Sequence, residues 1–222
     1  MTFSILARDP QSGALGGAAA TGSLCVGGWV LRGDIRAGMS ASQGAAPSTL
    51  WGEDVLVGMR LGRGAEQAVR DVTEADPGRE WRQLSALDPI GRTGLFTGTR
   101  NTGEVAAHAF DGGIVAGNML ASKAVPRAVA EGFLGAAGDF AARLLAGLCA
   151  GRAAGSDARG LQSAALLVVQ RDAPPLTLRV DYAEDPLAAL HALLGRATSG
   201  EYTDWTRRVP TLDAPTRTLE EG

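Results

Sequence analysis

The sequence predicts an α+β fold in which antiparallel sheets are covered by layers of helices. Three observations lead there. Strand-like segments arrive in runs and helical segments mostly in pairs, an order of sheet, helices, sheet, helices, sheet, helix that departs from the strict βαβ alternation of a doubly wound fold. A chain of 222 residues can bury one sizeable core, and nothing in that length requires a second. With 45% hydrophobic and 20% charged residues, the composition is that of an ordinary globular protein.

Residues 2–8 read as a first strand, Asp9-Pro10-Gln11-Ser12-Gly13 as turn chemistry, and residues 15–20 as the returning strand of a hairpin. Two more extended segments are expected at 24–31 and 35–42, separated by Arg32-Gly33-Asp34, with their Gly and Ala residues in close contact with another layer. Pro47-Ser48-Thr49 then opens a helix in which Leu50, Val57 and Leu61 fall near one face. Gly64 opens another through Ala65, Ala68, Val69 and Val72. After Asp76-Pro77-Gly78, short strands follow at 83–86, 93–97, 105–110 and 113–115. Helical periodicity returns at 123–133 and 140–150, with Gly151 as a C-cap. Strands at 163–169 and 176–180, parted by Asp172-Ala173-Pro174-Pro175, precede a last helix at 186–194. Residues 1–197 are therefore read as one domain. Residues 198–222 form an extension whose Tyr202 and Trp205 suit packing on a partner subunit of a homodimer or larger homo-oligomer.

Charge and motif content exclude several functions. A net charge of -3 with scattered arginines gives no surface for phosphate backbones, so no nucleic-acid partner is expected. The longest uncharged stretch, 11–31, is too polar and glycine-broken for a membrane span, and Met1-Thr2-Phe3-Ser4 has no basic leader. Cys25 and Cys149 are far apart in apolar contexts and read as buried free thiols in a cytoplasmic protein. His108 and His191 have no second histidine or cysteine at ligand spacing, so neither metal nor cofactor is expected. Gly27-Gly28 and Gly112-Gly113 match no nucleotide-binding fingerprint and are better explained by tight strand packing.

Chemistry centres on Thr2. Methionine is normally cleaved before a small residue, which would leave Thr2 with a hydroxyl and a free α-amine. An α-amine of pKa about 8 can take the proton of the adjacent hydroxyl, so one residue serves as nucleophile and base.

The segments Thr2-Phe3-Ser4-Ile5 with Ala7-Arg8-Asp9, Gly117-Asn118-Met119-Leu120, and residues 155–166 resemble the DUF1028 family. So do Ser42-Gln43, Asp76-Pro77-Gly78-Arg79 with Arg82-Gln83, and Leu178-Arg179-Val180-Asp181, the whole covering about residues 2–195. The family resemblance implies the Ntn (N-terminal nucleophile) hydrolase-like superfamily. That in turn implies a four-layer α-β-β-α sandwich of two antiparallel sheets, and hydrolysis of a small amide-like substrate. Asn118, on a turn opened by Gly117, or Gln43 with the Gly44 N–H, at the end of a strand beside the first, would hold the oxyanion. By the same resemblance Asp157 and Ser163 would orient the amine, with an Asp157–Arg159 brace as the alternative. Arg159 and His108 are the expected substrate contacts. The superfamily's threonine peptidases carry a lysine beside the nucleophile, whereas the only lysine here is Lys123, at the start of a helix, and Arg36 cannot act as a base. The alternative to catalysis is an oligomeric ligand-binding protein that keeps the fold.

Overall fold

The computed structural model describes residues 2–219. Strands β1 (Thr2–Arg8) and β2 (Leu15–Thr21) form the expected hairpin, in register from Arg8 opposite Leu15 to Thr2 opposite Thr21. Asp9 builds the turn: its carboxylate accepts from the Ser12 N–H at 3.0 Å and from the Ser12 hydroxyl at 2.6 Å. Burial alone would raise the Asp9 pKa, but the Ser12 hydrogen bonds and the nearby Arg143 charge outweigh it and hold the carboxyl below its ordinary value. A carboxyl depressed on folding contributes stability that is complete above its unfolded pKa of about 4 and is lost as pH falls through the folded value. Asp9→Asn is thus expected to be less stable than the parent at about pH 6 and to converge with it towards about pH 3, measured by urea melts across that range.

Residues 24–31 do not form the expected strand. Cys25 takes a left-handed conformation (φ 61°), Val26–Trp29 make one helical turn, α1, and β3 runs only over Leu31–Asp34. The glycines explain the choice. A Cβ on Gly27 would stand 2.6 Å from Arg179 Cγ and 2.8 Å from Ala165 Cβ, so a glycine turn can lie flat on the sheet where larger residues could not. Close contact was legible in those glycines, but the element type was not. The following turn moves from 32–34 to 35–37, and β4 is Gly38–Gly44.

Helices α2 (Thr49–Arg60) and α3 (Ala65–Glu74) follow, α2 capped by the Ser48 hydroxyl, which accepts from the Trp51 N–H. Leu50, Val57 and Leu61 share a face as expected, but that face is the exposed one. The buried side carries Trp51, Gly52, Val55, Gly58 and Met59, and its two glycines dilute the hydrophobic signal that periodicity detects. A 3₁₀ turn (Arg79–Trp81) leads to β5 (Arg82–Leu87), β6 (Thr93–Thr97), β7 (Glu104–Phe110) and β8 (Gly113–Leu120). Helices α4 (Val125–Gly135) and α5 (Phe140–Ala153), strands β9 (Ser163–Val169) and β10 (Leu176–Val180) and helix α6 (Pro186–Ala197) complete the expected order. Within the segment read as an extension, Gly200–Thr206 form a further helix, α7, on which Tyr202 and Trp205 contact each other at 5.8 Å between ring centres. Cys25 is half-buried and Cys149 exposed, correcting the expectation of two buried thiols. Partial burial of the Cys149 thiol still pushes its pKa up.

One sheet has six strands in the order β10-β9-β2-β1-β8-β7 and the other four, β3-β4-β5-β6, with every pairing antiparallel. Side-chain alternation along β1 divides the core. Phe3, Ile5 and Ala7 pack with Val129, Leu144 and Leu148 of α4 and α5, whereas Leu6 packs with Met39, Ala41 and Leu87 of the second sheet. The far face of that second sheet is covered by Trp51, Val55 and Val69 of α2 and α3. This is a mixed α+β structure with two antiparallel sheets and seven α-helices among the described residues, compatible with a sandwich. Among those residues no helix is long and apolar enough to cross a membrane.

Candidate active site

Thr2 shares its β1 face with Ser4 and Leu6, so its side chain points between the sheets at their open end. It lies opposite Thr21 on β2 and opposite Asn118 on β8, and Thr21 lies opposite Ser163 on β9. Directly opposed residues of antiparallel strands project to the same face about 5 Å apart. Ser163, Thr21, Thr2 and Asn118 therefore make one polar row across four strands, and all four are buried. The Thr2 hydroxyl donates to Thr21 Oγ1 at 3.2 Å. Above the row opens a cavity of about 520 Å³ whose lining includes the polar or small residues Thr2, Thr21, Gln43, Gly44 and Arg159. Leu24, Val26, Trp29, Val30, Pro47 and Met119 are its apolar lining.

Behind Thr2 runs a buried amide network. Gln43 comes from β4, which lies in the facing sheet rather than beside β1. Its Oε1 accepts from the Ser4 hydroxyl at 2.9 Å, and its NH₂ donates to Gln83 Oε1 at 2.7 Å and to the Ala116 carbonyl at 3.1 Å. The NH₂ of Gln83 in turn donates to Thr97 Oγ1 at 3.0 Å and to the Gly117 carbonyl at 3.3 Å. Two backbone strands and two sheets are thereby fastened by uncharged groups. The donors of Gln43 are spent inside the protein. Asn118 sits within β8, not on a turn, because that strand runs on to Leu120. Its NH₂ makes only a long 3.4 Å bond to Gln83 Oε1, and its Oδ1, buried directly across from Thr2, has no partner among the described residues.

Asp157 joins the site from the loop before β9. Its carboxylate is buried, accepts from the Gly22 N–H at 2.5 Å and from the Arg159 N–H at 2.8 Å, and pairs with the Arg159 guanidinium at 3.2 Å. Gly22 permits this approach, since a Cβ there would stand 2.7 Å from both Asp157 oxygens. The Asp157–Arg159 brace is therefore present, and the same carboxylate fixes the chain one residue beyond Thr21. The Ser163 hydroxyl donates to the Ser23 carbonyl at 2.7 Å and accepts from the Val26 N–H at 3.1 Å, fixing the segment that carries Leu24 and Val26 into the cavity wall.

The three non-glycine residues with positive φ among the described ones are Cys25, Met119 and Ser156 at 61°, 52° and 59°. Met119 lines the cavity, Cys25 lies between two lining residues and Ser156 precedes Asp157. Such backbone costs of order 1 kcal/mol or more each, and its concentration here marks a site the rest of the fold holds in place.

Of the residues expected from sequence, Thr2, Gln43 and Arg159 border the cavity, Asn118, Asp157 and Ser163 buttress it, and His108 does not reach it. His108 lies on β7 opposite Val115, three residues along β8 from Asn118 and on the edge strand of the sheet. Lys123 precedes α4 and pairs with Glu104, and Arg36 pairs with Asp34, so neither stands at Thr2. No group of three potential metal ligands occurs among the described residues. Thr21 and Trp29 were not anticipated. A symmetric hairpin with Arg8 opposite Leu15 would have placed Thr21 beside Thr2, but Trp29 was hidden by the misread strand at 24–31.

Comparison with known proteins bears on the fold and the family. No curated protein matches the chain. The crystal structure of protein SPO2555 from Silicibacter pomeroyi, of the family DUF1028, is similar over the full chain and 96% of its own length, at 55% identity and a TM-score of 0.95. Residues 2–190 match the family of unknown function DUF1028. By that match and that likeness, the chain belongs to the DUF1028 family.

Proposed function

We propose that the cavity at Thr2 is the active site of an N-terminal nucleophile amidohydrolase that cleaves a small amide-like substrate. The observation that carries this reading is the placement of Thr2, whose buried side chain stands at the head of an inner strand, between Thr21 and Asn118, on the wall of the cavity. Once Met1, which lies outside the described residues, is removed, the Thr2 α-amine takes the hydroxyl proton as Oγ attacks the substrate carbonyl carbon. The C–N bond then breaks, the departing amine takes that proton, and an ester to Thr2 remains. Water attacks the ester and gives one proton to the α-amine, which passes it to Oγ as the ester C–O bond breaks, releasing the acid and restoring the hydroxyl and the free amine. The Asn118 NH₂, held only by its long bond to Gln83, is favoured over that of Gln43 as the side-chain donor to the oxyanion, since the donors of Gln43 are committed to Gln83 and Ala116. Asp157 and Ser163 act by holding the Gly22–Val26 segment beside the nucleophile.

An activated amide or lactone probe is expected to acylate Thr2, seen as a mass increase on the N-terminal peptide. Absence of labelling on a chain that has lost Met1 would contradict the proposal. The internal commitment of Gln43 favours one alternative, a ligand-binding protein on the same fold. It predicts turnover of no amide and ligand affinity unchanged in Thr2→Ala.

A further inference from the structure

The cavity lining combines one cation with several large apolar side chains. Arg159 is the only charged side chain among the described residues that line it, and no carboxylate faces it there. The guanidinium uses Nε and one terminal nitrogen on Asp157 and Ser23, which leaves the other terminal nitrogen without a hydrogen-bond partner among the described residues. Asp157 is fully buried beneath it, whereas the Arg159 side chain is 43% exposed, so the pair presents its positive half outward. The same lining includes Trp29 and Leu24, each more than half exposed although large and apolar. Exposed apolar groups that share a concave wall with one oriented cation are the usual make-up of a small-molecule site.

From this composition we infer that the ligand of the Thr2 cavity is an amide carrying one carboxylate and one flat or apolar group, the carboxylate held by Arg159 and the apolar part laid against Trp29 and Leu24. The inference concerns what the cavity selects, and it rests on the proposed function only for the amide between the two ends. A guanidinium with one free edge suits a carboxylate oxygen. Because Asp157 already offsets part of the charge, the preference for an anion is moderate, roughly tenfold, on the scale of a single charge-assisted hydrogen bond. Trp29 adds stacking area at little entropic cost, since an aromatic side chain has two torsions to fix.

The test is equilibrium binding to Thr2→Ala, in which turnover is blocked, with three probes. Phenylacetylglycine has ring, amide and carboxylate, phenylacetylglycinamide lacks the charge, and acetylglycine lacks the ring. Phenylacetylglycine is expected to bind roughly tenfold more tightly than either of the others. Arg159→Gln should bring the acid to the level of its amide and leave the amide unmoved, and Trp29→Ala should abolish the advantage over acetylglycine. The probe comparison on Thr2→Ala decides the matter even if Arg159→Gln does not fold. Equal affinity for acid and amide, or no binding of any probe, overturns the inference. Selective binding by a protein whose Thr2 cannot be acylated would instead sink the proposed catalysis and leave this specificity standing.

Discussion

Thr2→Ala is expected to lower amide turnover by at least about 10³-fold, because it removes the nucleophile while leaving the cavity in place. The structural cost should be small. The Thr2 hydroxyl makes one side-chain hydrogen bond, to Thr21, so its removal costs about 1 kcal/mol. A folded, inactive Thr2→Ala protein is thus the predicted outcome, with circular dichroism and a urea melt near those of the parent. Thr2→Ser keeps the hydroxyl and the α-amine and is expected to retain turnover. If Thr2→Ala and the parent hydrolysed a substrate at equal rates, the nucleophile would lie elsewhere.

The largest loss of stability is expected from Gln43→Leu. The replacement is similar in size, yet Gln43 is buried between the sheets, and its carboxamide bonds Ser4, Gln83 and the Ala116 carbonyl. Leucine would deprive Ser4 of its acceptor and the Ala116 carbonyl of its side-chain donor, and leave Gln83 Oε1 only the long bond from Asn118, at about 1–3 kcal/mol each, for a total of roughly 3–5 kcal/mol after relaxation. Urea melts should show the midpoint falling with the slope unchanged. Adding Ser4→Ala to Gln43→Leu should recover part of the loss, since it deletes one of the orphaned groups; strict additivity would show that the network does not act as a unit.

The fold was legible wherever local chemistry and pattern agreed. Asp9 to Gly13 announced the first hairpin, and the clean apolar runs of β9 and β10 with the prolines between them announced the second. It was illegible where glycine erased the pattern. Val26-Gly27-Gly28-Trp29 reads as extended, but its glycines let it coil against Arg179 and Ala165, and the glycines of the buried face of α2 left Leu50, Val57 and Leu61 as the louder, exposed stripe. At the site, the sequence reading named Thr2, Asn118, Asp157 and Arg159, which the fold brings to one end of the sheets. Their geometry was not. That Asn118 continues β8, that Gln43 reaches across from the facing sheet, and that His108 sits on an edge strand all follow from register, which pattern fixes only after pairing is known. Trp29 went unseen as a cavity residue because its place in the lining depends on the helical turn that pattern missed.

The central claim, that a free Thr2 heads a reactive cavity, is tested most directly by the intact mass of the purified chain. The proposal predicts a mass lower by one methionine residue, with Thr2 as the first residue on N-terminal sequencing. A chain that keeps Met1 would have the Thr2 nitrogen locked in a peptide bond, and the mechanism in which that nitrogen moves the proton would be contradicted.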